Sequence, residues 1–186
     1  MDAKTAWILT NPHHGHIVYP YTDDQRMIDA VGFYASVGLA QENAVVLIVT
    51  EVHRLAIQKY LKADGNVQAL EASGQLCFLD AGELMSAFMV DGTPEPKLFK
   101  AAIKELMGRV RRNQRTGRTR EVRLFGEMVN LLWPANAAAA ERLEELWNGI
   151  IAEYATPLLC AYAVDGPSRG PLPESLIKVH SHAIAW

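Results

Sequence analysis

The sequence predicts an α/β domain in which helices cover both faces of a mostly parallel sheet. Several short apolar runs, rich in β-branched residues, have the length of strands that are buried on both sides. Helical patterns, with apolar residues three or four positions apart, lie between these runs. A chain of 186 residues is long enough for one such three-layer domain. We expect this single domain over residues 1–186, with its core at about 15–165 and a carboxyl-terminal arm at 166–186.

The predicted strands follow one another with the spacing of β–α units. The first is the apolar start of the stretch GHIVYPYTDDQRM at 15–27. A continuous apolar run follows at 43–50, and the segments at 75–80, 121–127 and 157–164 are interpreted as strands in the same way. Right-handed crossovers bring the carboxyl ends of such strands to one edge of the sheet, where α/β proteins bind their ligands. We therefore expect the functional residues at that edge.

Three helices are predicted by their apolar stripes. The stripes are Met27, Val31 and Tyr34; Phe99, Ile103, Leu106 and Val110; and Leu143, Leu146, Trp147, Ile150, Ile151 and Tyr154. Capping signals predict helix starts at Thr22, Asp80 and Thr93. Gly65 and Gly74 are predicted helix stops.

Composition narrows the class of protein. The net charge is −3 and no aromatic residue lies among the arginines at 109–123, so we interpret that run as a solvated helix end and loop that does not bind nucleic acid. No apolar run approaches the roughly 20 residues that cross a bilayer, and the chain does not begin with a signal-peptide pattern. We therefore expect a cytoplasmic protein without membrane contact, in which Cys77 and Cys160 are buried, reduced thiols.

The junction between the first strand and its helix is where many α/β proteins hold a phosphate. A phosphate cradle needs converging N–H groups, which usually require glycines, and a lysine. This stretch instead contains a proline, two aspartates and no lysine, so a bound triphosphate is disfavoured. His16, Tyr19 and Tyr21 combine ring faces with polar tips and are candidate ligand contacts. The alternative is that the tyrosines fill the edge of the core while Thr22 caps the helix.

Glu127 directly follows a predicted buried strand, between Gly126 and Met128. A carboxylate in this position is expensive to bury unless it meets water, a donor or a ligand. The neighbouring glycine lets another group approach closely. We predict that Glu127 orients a ligand through a hydrogen bond. The alternative is a structural carboxylate that accepts bonds from backbone N–H groups or pairs with an arginine such as Arg123.

His180 and His182 lie near the end of the chain, separated by one residue. In a strand they would share a face, and with His13, His14 and His16 they could form a metal site. No cysteine or acidic residue adjoins them in the sequence, so we expect no metal and a polar, partly buried role. We predict that both histidines close over the ligand site.

Several blocks of the sequence resemble the MEDS family, the methanogen/methylotroph DcmR sensory domain. The blocks include GHIVYPYTDD, GLAQENAVVLIVTEVHRLAI, GQLCFLDAGELMSAFMVDGTP, REVRLFGEMVNLLWPANAAAAERLEELWNGI and PLLCAYAV. The resemblance implies a signal-input domain that is distantly similar to the KaiC and RecA ATPase core, a P-loop-type fold without its Walker A motif. It places HIVYPY at the phosphate loop and FGEM near the strand with the magnesium-binding acid. Relatives more often have HVVQFY, so Pro20 replaces an aromatic residue.

The residues and the resemblance together predict a sensory domain that has lost nucleotide hydrolysis and binds a small molecule. Its ligand contacts would be His16, Tyr19, Tyr21, Glu127, His180 and His182, with no cofactor and no metal. No output module follows Trp186, so we expect the signal to pass to a histidine kinase or a transcription regulator. A homodimer is plausible by analogy. The alternatives are an interaction module without a ligand, which would use the sheet edge or the helix at 143–154, and a residual ATPase or metal-dependent hydrolase.

Overall fold

The computed structural model describes residues 1–13, 15–62, 65–113, 116–165 and 170–184. Its strands are β1 His16–Tyr21, β2 Ala44–Val49, β3 Leu76–Asp80, β4 Met89–Val90, β5 Thr93–Pro94, β6 Val122–Gly126, β7 Leu158–Ala163 and β8 His182–Ala183. Its helices are α1 Ala3–Thr10, α2 Asp24–Ala40, α3 Glu51–Lys62, α4 Val67–Ala72, α5 Ala81–Ser86, α6 Pro96–Val110, α7 Met128–Leu132, α8 Ala137–Tyr154 and α9 Glu174–Lys178. Residues 166–169 and 185–186 of the predicted arm lie outside the described residues.

Within the described residues, six strands form one parallel sheet in the order β3-β2-β6-β7-β1-β8. Successive residues of each strand enter opposite cores. Val46 and Ile48 of β2 belong to the core beneath α5 to α9, whereas Val45 and Leu47 belong to the core beneath α1 to α4. The predicted three-layer α/β class is therefore confirmed. Strands β4 and β5 pair with each other in a separate antiparallel ribbon.

The five predicted strands of this sheet are confirmed as β1, β2, β3, β6 and β7. Every residue of β2 and of β6 is buried, as expected for strands that are covered on both faces. Strand β3 lies at the edge of the sheet, and only Leu76 of its five residues is fully buried. The edge position explains why Cys77 is only half-buried, contrary to prediction, while Cys160 in the interior strand β7 is buried.

The three predicted helices are confirmed as α2, α6 and α8, but two of their predicted caps are wrong. The Asp23 carboxylate, and not Thr22, caps α2 by accepting the N–H groups of Gln25 and Arg26. A carboxylate is the stronger acceptor, and its charge favours the helix amino terminus. Likewise Glu95 caps α6, because Thr93 is already paired in β5.

Two of the other predicted helix ends are confirmed, and the third lies next to residues outside the described part of the chain. Asp80 caps α5 through the Glu83 N–H at 2.8 Å, as its spacing predicted. Gly74 follows α4 with a φ of 67°, a left-handed conformation that suits glycine at a helix end. Helix α3 ends at Lys62, and residues 63–64 lie outside the described residues, so the stop at Gly65 stays a prediction.

The apolar stripe of α8 faces inward. Leu143, Trp147 and Ile150 are buried in the core between this helix and the sheet. The sequence left open that this helix holds a partner protein. The fold itself covers the apolar stripe, so partner binding by this helix stays a prediction for its other face.

Both chain ends add elements to the domain. Helix α1, which the sequence analysis did not predict, packs on α2 and begins at an Asp2 cap. The described part of the carboxyl-terminal arm contains the short helix α9. Strand β8 then pairs in parallel with β1 through Ile17 opposite His182 and Val18 opposite Ala183. The described part of the arm is thus continuous with the sheet. Among the described residues, no helix is both long and apolar enough to cross a membrane.

Arg123 contradicts the interpretation of the arginine run as solvated, although Arg115 of that run lies outside the described residues. Arg123 lies inside β6 and is only 3% exposed. Its guanidinium donates to the carbonyl oxygens of Leu9 and Thr10 at 3.0 and 3.1 Å, and so it binds the carboxyl end of α1. It does not pair with Glu127, which removes the arginine pairing considered for that carboxylate.

Candidate functional site

The six residues that the sequence predicted as one site fall in separate places. Tyr19 and Tyr21 of β1 lie on the sheet face that α1 to α4 cover. Glu127 lies at the carboxyl end of β6 on that same face, where it contacts α3. His16 begins β1 at the opposite end, and its side chain meets α8 on the other face. The predicted grouping of His16 with the tyrosines is therefore wrong, because alternate strand residues point to opposite faces.

The arm histidines also lie away from Glu127. The imidazole of His180 is buried against Glu144 of α8, which lies on the face opposite the tyrosines. His182 is exposed in β8, and its Nδ1 lies 2.9 Å from the Ser181 hydroxyl. Neither histidine closes over the carboxyl edge in this structure. Their roles in ligand binding stay predictions, without the shared pocket that was expected.

Glu127 is the central residue of the carboxyl edge. It is 1% exposed, and its carboxylate accepts two hydrogen bonds. One comes from the backbone N–H of Thr50, just beyond β2, and the other from Nδ1 of His53 at 2.5 Å. These donors explain how the fold tolerates a buried carboxylate. Glu127 thereby connects the end of β6 to the end of β2 and to the first turn of α3.

His53 is the functional candidate that the sequence analysis missed. Its side chain is 13% exposed, and its Nε2 lies 4.0 Å from an Asp24 carboxylate oxygen at the start of α2. The hydrogen bond to Glu127 raises the pKa of His53, which burial opposes, and the charges of Glu127 and Asp24 raise it further. His53 therefore lies between a buried carboxylate and an exposed one, and it is the more exposed member of its pair with Glu127.

Tyr21 reaches the same edge through Asn130 of α7. The Asn130 amide nitrogen lies 3.4 Å from the Tyr21 hydroxyl, and its carbonyl oxygen accepts the Ala163 N–H at 2.9 Å. Helix α7 begins directly after Glu127 and contains Asn130, so this one short helix positions both residues at the carboxyl edge. Tyr21 is itself buried, which agrees with the alternative that it fills the core edge.

Tyr19 lines a groove of about 390 Å³ between α1 and α2, together with Thr5, Arg26 and Asp29. Burial raises the pKa of the half-buried Tyr19 hydroxyl, which lies 3.4 Å from the Arg26 carbonyl oxygen. Glu127 is not among the residues that line this groove. Tyr19 is thus accessible to a ligand, but it does not share this groove with Glu127, which was predicted to bind the same ligand.

A second polar cluster lies on the opposite face of the sheet, among His16, Glu144, Cys160 and His180. The sequence analysis considered His16 and His180 together but not Glu144 or Cys160, because α8 and β7 supply those two residues from elsewhere in the chain. Burial pushes the pKa of Glu144 upward, but the adjoining His16 and His180 imidazoles outweigh it and hold that pKa well below its usual range. Burial, followed by the charge of Glu144, raises the pKa of the Cys160 thiol well above its usual value.

The link between Glu127 and His53 predicts a change in titration. In the Glu127→Gln variant the pKa of His53 should fall, because the charged acceptor is lost. A raised folded-state pKa adds stability that is fully present below the unfolded value of 6.5 and is lost as pH rises through the folded value. The stability difference between the natural protein and the variant should therefore shrink over that window.

NMR titration of the His53 ring protons, with urea unfolding at several pH values, measures both effects. The Glu51→Gln variant is the matched control, because Glu51 lies on the same helix but pairs with Arg54 at the surface. An unchanged His53 titration in Glu127→Gln would show that the hydrogen bond does not control this histidine.

The fold and this edge define a class: a parallel α/β domain with a buried acid and its histidine donor where the strands end. The chain belongs to the MEDS family, described as MEthanogen/methylotroph, DcmR Sensory domain, whose sequence profile matches residues 15–180. The expected family is thereby confirmed, and with it a sensory class of domain. Comparisons with curated proteins and with solved structures found no match.

Proposed function

We propose that this sensory domain binds a small molecule at the carboxyl edge of its sheet and passes the resulting change in packing to a partner protein. One observation carries the proposal: the buried Glu127 carboxylate is hydrogen-bonded to His53, a side chain that is itself 13% exposed. A ligand with a hydrogen-bond donor would compete with His53 for this acceptor. Pockets that bind small molecules combine an apolar lining with a few such polar groups.

The contacts of Glu127 explain how binding would change the domain. Thr50 and His53 hold the junction of β2 with α3 against the end of β6. His53 also faces Asp24, at the start of α2. A ligand that displaces His53 would free the first turn of α3 from both neighbours. It would shift the population of the domain only by its difference in affinity for the two arrangements.

The geometry after β1 favours a domain without nucleotide hydrolysis. The amino terminus of α2, where a phosphate would bind, is already occupied by the Asp23 carboxylate, at 2.7 Å from the Gln25 N–H and 3.2 Å from the Arg26 N–H. A second anion at this position would be repelled. This arrangement supports a degenerate relative of the KaiC and RecA core that has kept its layers and lost its phosphate site.

Partner binding without any ligand is the second candidate function. Val52 and Leu55 of α3 are 75% and 58% exposed, and they flank His53 on the same helix. Large exposed apolar side chains on one helix are a feature of interaction surfaces. In this alternative a histidine kinase or transcription regulator, or a second copy of the chain, would contact α3 directly.

Thermal-shift measurements separate these functions. The probes are methylamine, imidazole and phenol as small donors, with ATP and magnesium as the nucleotide test. A donor present at about 100 times its Kd stabilises the fold by about 2.7 kcal/mol, and a Tm rise of several degrees follows. We expect this rise in the natural protein and in Glu51→Gln, and its loss in Glu127→Gln.

Two results would contradict the proposal. An equal Tm rise in Glu127→Gln and in the natural protein would show that the ligand does not bind at this edge. ATP hydrolysis that is lost in Glu127→Gln would show that the domain is a catalyst. If Ser substitutions of Val52 and Leu55 abolish binding to a kinase or regulator while every probe leaves Tm unchanged, the interaction module without a ligand replaces our proposal.

A further inference from the structure

Four side chains that can bind metal ions converge beneath α8 and α9. They are His16 at the start of β1, Glu144 of α8, Cys160 of β7 and His180 just after α9. One ligand atom from each lies within 4.8 Å of each of the others. All four side chains are almost completely withdrawn from solvent, with exposed fractions of 0–2%. A cluster of this kind within an apolar core requires a physical reason.

The two imidazoles are oriented by acceptors outside the cluster. His16 Nδ1 lies 2.9 Å from the Asn148 side-chain oxygen, and the Asn148 amide nitrogen donates to the Val179 carbonyl, so that oxygen must face the ring. His180 Nδ1 donates to the Leu176 carbonyl at 2.7 Å. Both Nδ1 atoms therefore carry the proton, and both Nε2 atoms point into the cluster. Histidines that bind metals are held by outer acceptors in this way.

The two inward Nε2 atoms differ in their partners: His16 Nε2 lies 3.3 Å from the weak Cys160 thiol donor, whereas His180 Nε2 has no hydrogen-bond partner among the described groups. His16 Nε2 lies 3.1 Å from one Glu144 carboxylate oxygen, and His180 Nε2 lies 3.3 Å from the other. The His180 contact lacks hydrogen-bond geometry, which leaves a fully buried nitrogen unpaired. If the rings are neutral, their lone pairs face acceptor oxygens. If one ring is protonated, it balances the Glu144 charge, but the other ring still turns its Nε2 lone pair toward a carboxylate oxygen. If both rings are cations, two buried positive charges share one carboxylate, which is costly.

A divalent metal ion resolves both problems. With two neutral imidazoles, the Glu144 carboxylate and the Cys160 thiolate, the total charge of the site is zero, as a fully buried position requires. Zinc bonds of about 2.0–2.3 Å place tetrahedral ligand atoms about 3.3–3.7 Å apart. His16 Nε2 lies 3.3 Å from Cys160 Sγ, and Cys160 Sγ lies 3.6 Å from the Glu144 carboxylate. The spacing of the donors thus resembles that of a tetrahedral site.

We propose that His16, Glu144, Cys160 and His180 bind one zinc ion. Two nitrogens, one sulfur and one carboxylate form a donor set that suits zinc and does not suit calcium or magnesium, which prefer oxygen ligands. Four protein ligands leave no open position, so the site is structural. The Tyr162 hydroxyl donates to the Glu144 carboxylate and holds it in place, as outer groups do around zinc.

The zinc site would fasten the carboxyl-terminal arm to the sheet. His180 comes directly before the segment in which Ser181 N–H bonds to the His16 carbonyl at 2.8 Å and Ile184 N–H bonds to the Val18 carbonyl at 3.0 Å. The metal would therefore join β1, β7 and α8 to the point where β8 begins. This inference is independent of the proposed ligand at Glu127, which lies on the opposite face of the sheet.

Elemental analysis of the full, untagged chain, purified under reducing conditions without chelator, tests the proposal. We expect about one zinc ion per chain. Chelation should lower Tm, and added zinc chloride should restore it by about 10 °C, as mass action predicts for an ion far above its Kd. Cobalt in place of zinc should give the absorption band of a thiolate ligand.

Two cysteine variants identify the ligand. Cys160→Ser should lose the cobalt–thiolate band and most of the zinc, whereas the matched Cys77→Ser variant should keep both, because Cys77 lies in the edge strand β3. If the natural protein contains less than about 0.1 zinc per chain and zinc chloride does not raise its Tm, the proposal is wrong. A cobalt–thiolate band that survives in Cys160→Ser would exclude this cysteine and likewise overturn it.

Discussion

The Arg123→Ala variant should lose about 3 to 5 kcal/mol of its free energy of unfolding, because it removes the donor at the centre of a buried network. The Arg123 guanidinium donates to the Leu9 and Thr10 carbonyls, to the Asn43 side chain at 3.0 Å and to the Gln41 side chain. Without it, the buried Leu9 carbonyl and the buried Asn43 side chain lose this donor, and a buried group left unpaired costs about 1 to 3 kcal/mol.

The position of Arg123 makes this loss larger than that of an ordinary arginine. The Leu9 and Thr10 carbonyls belong to the last turn of α1, where the helix dipole leaves partial negative charge. Arg123 therefore neutralises a helix end and also lies 5.3 Å from the centre of the Tyr34 ring. Loss of the guanidinium should detach α1 from the sheet as well as destabilise the core.

Urea unfolding and proteolysis of the amino terminus measure these two effects. The matched control is Arg118→Ala, because Arg118 belongs to the same arginine run but is exposed. Its free energy of unfolding should change by less than about 0.5 kcal/mol. A loss in Arg123→Ala that is no larger than in the control would show that water replaces the guanidinium without penalty.

Arg123 also shows where sequence reasoning ends. The layers and strands could be predicted because a parallel strand that is buried on both sides is apolar at every position, as in β2. The same reasoning treated Arg123 as one of a run of surface arginines. Its burial depends on the carbonyls of α1, which lies more than 110 residues away in the sequence. The hydrophobic pattern of the sequence did not predict that helix.

Only part of the site could be predicted, because some of its contacts also depend on how distant segments come together. Glu127 was identified from its own position, because a carboxylate after an apolar strand must find a donor. Its donor His53 was missed because the pair meets only when β2 lies beside β6 in the sheet, an order that the sequence does not state. A histidine in the first turn after a buried strand was the available signal.

The buried cluster depends still more on tertiary structure. His16 and His180 come from opposite ends of the chain, and α8 supplies Glu144 between them. The expectation of no metal rested on the lack of acidic or cysteine neighbours in the sequence, whereas the fold provides both from elsewhere. The site therefore became visible only once the register of β1 with β7 placed Val18 opposite Cys160.

The Trp147→Ala variant should lose about 3 to 5 kcal/mol of its free energy of unfolding, because an alanine leaves a large cavity in a packed core. Trp147 is 1% exposed, and its ring meets Phe99 of α6 edge-on, with centroids 5.1 Å apart at 90°. Phe99 in turn meets Phe88 at 5.2 Å. Such ring pairs add about 0.5 to 1.5 kcal/mol beyond the area they bury.

The consequence extends to the buried cluster because α8 carries Glu144 and Asn148 within one turn of Trp147. The free energy of unfolding, measured with urea, and the zinc content should therefore both be lower in Trp147→Ala than in the natural protein. Trp147→Phe keeps a ring beside Phe99 and should lose less of each. Trp7→Ala is the control, since Trp7 is 59% exposed and should change stability by less than about 0.5 kcal/mol. If the two tryptophan-to-alanine variants are equally stable, helix α8 is not held in place by this aromatic contact.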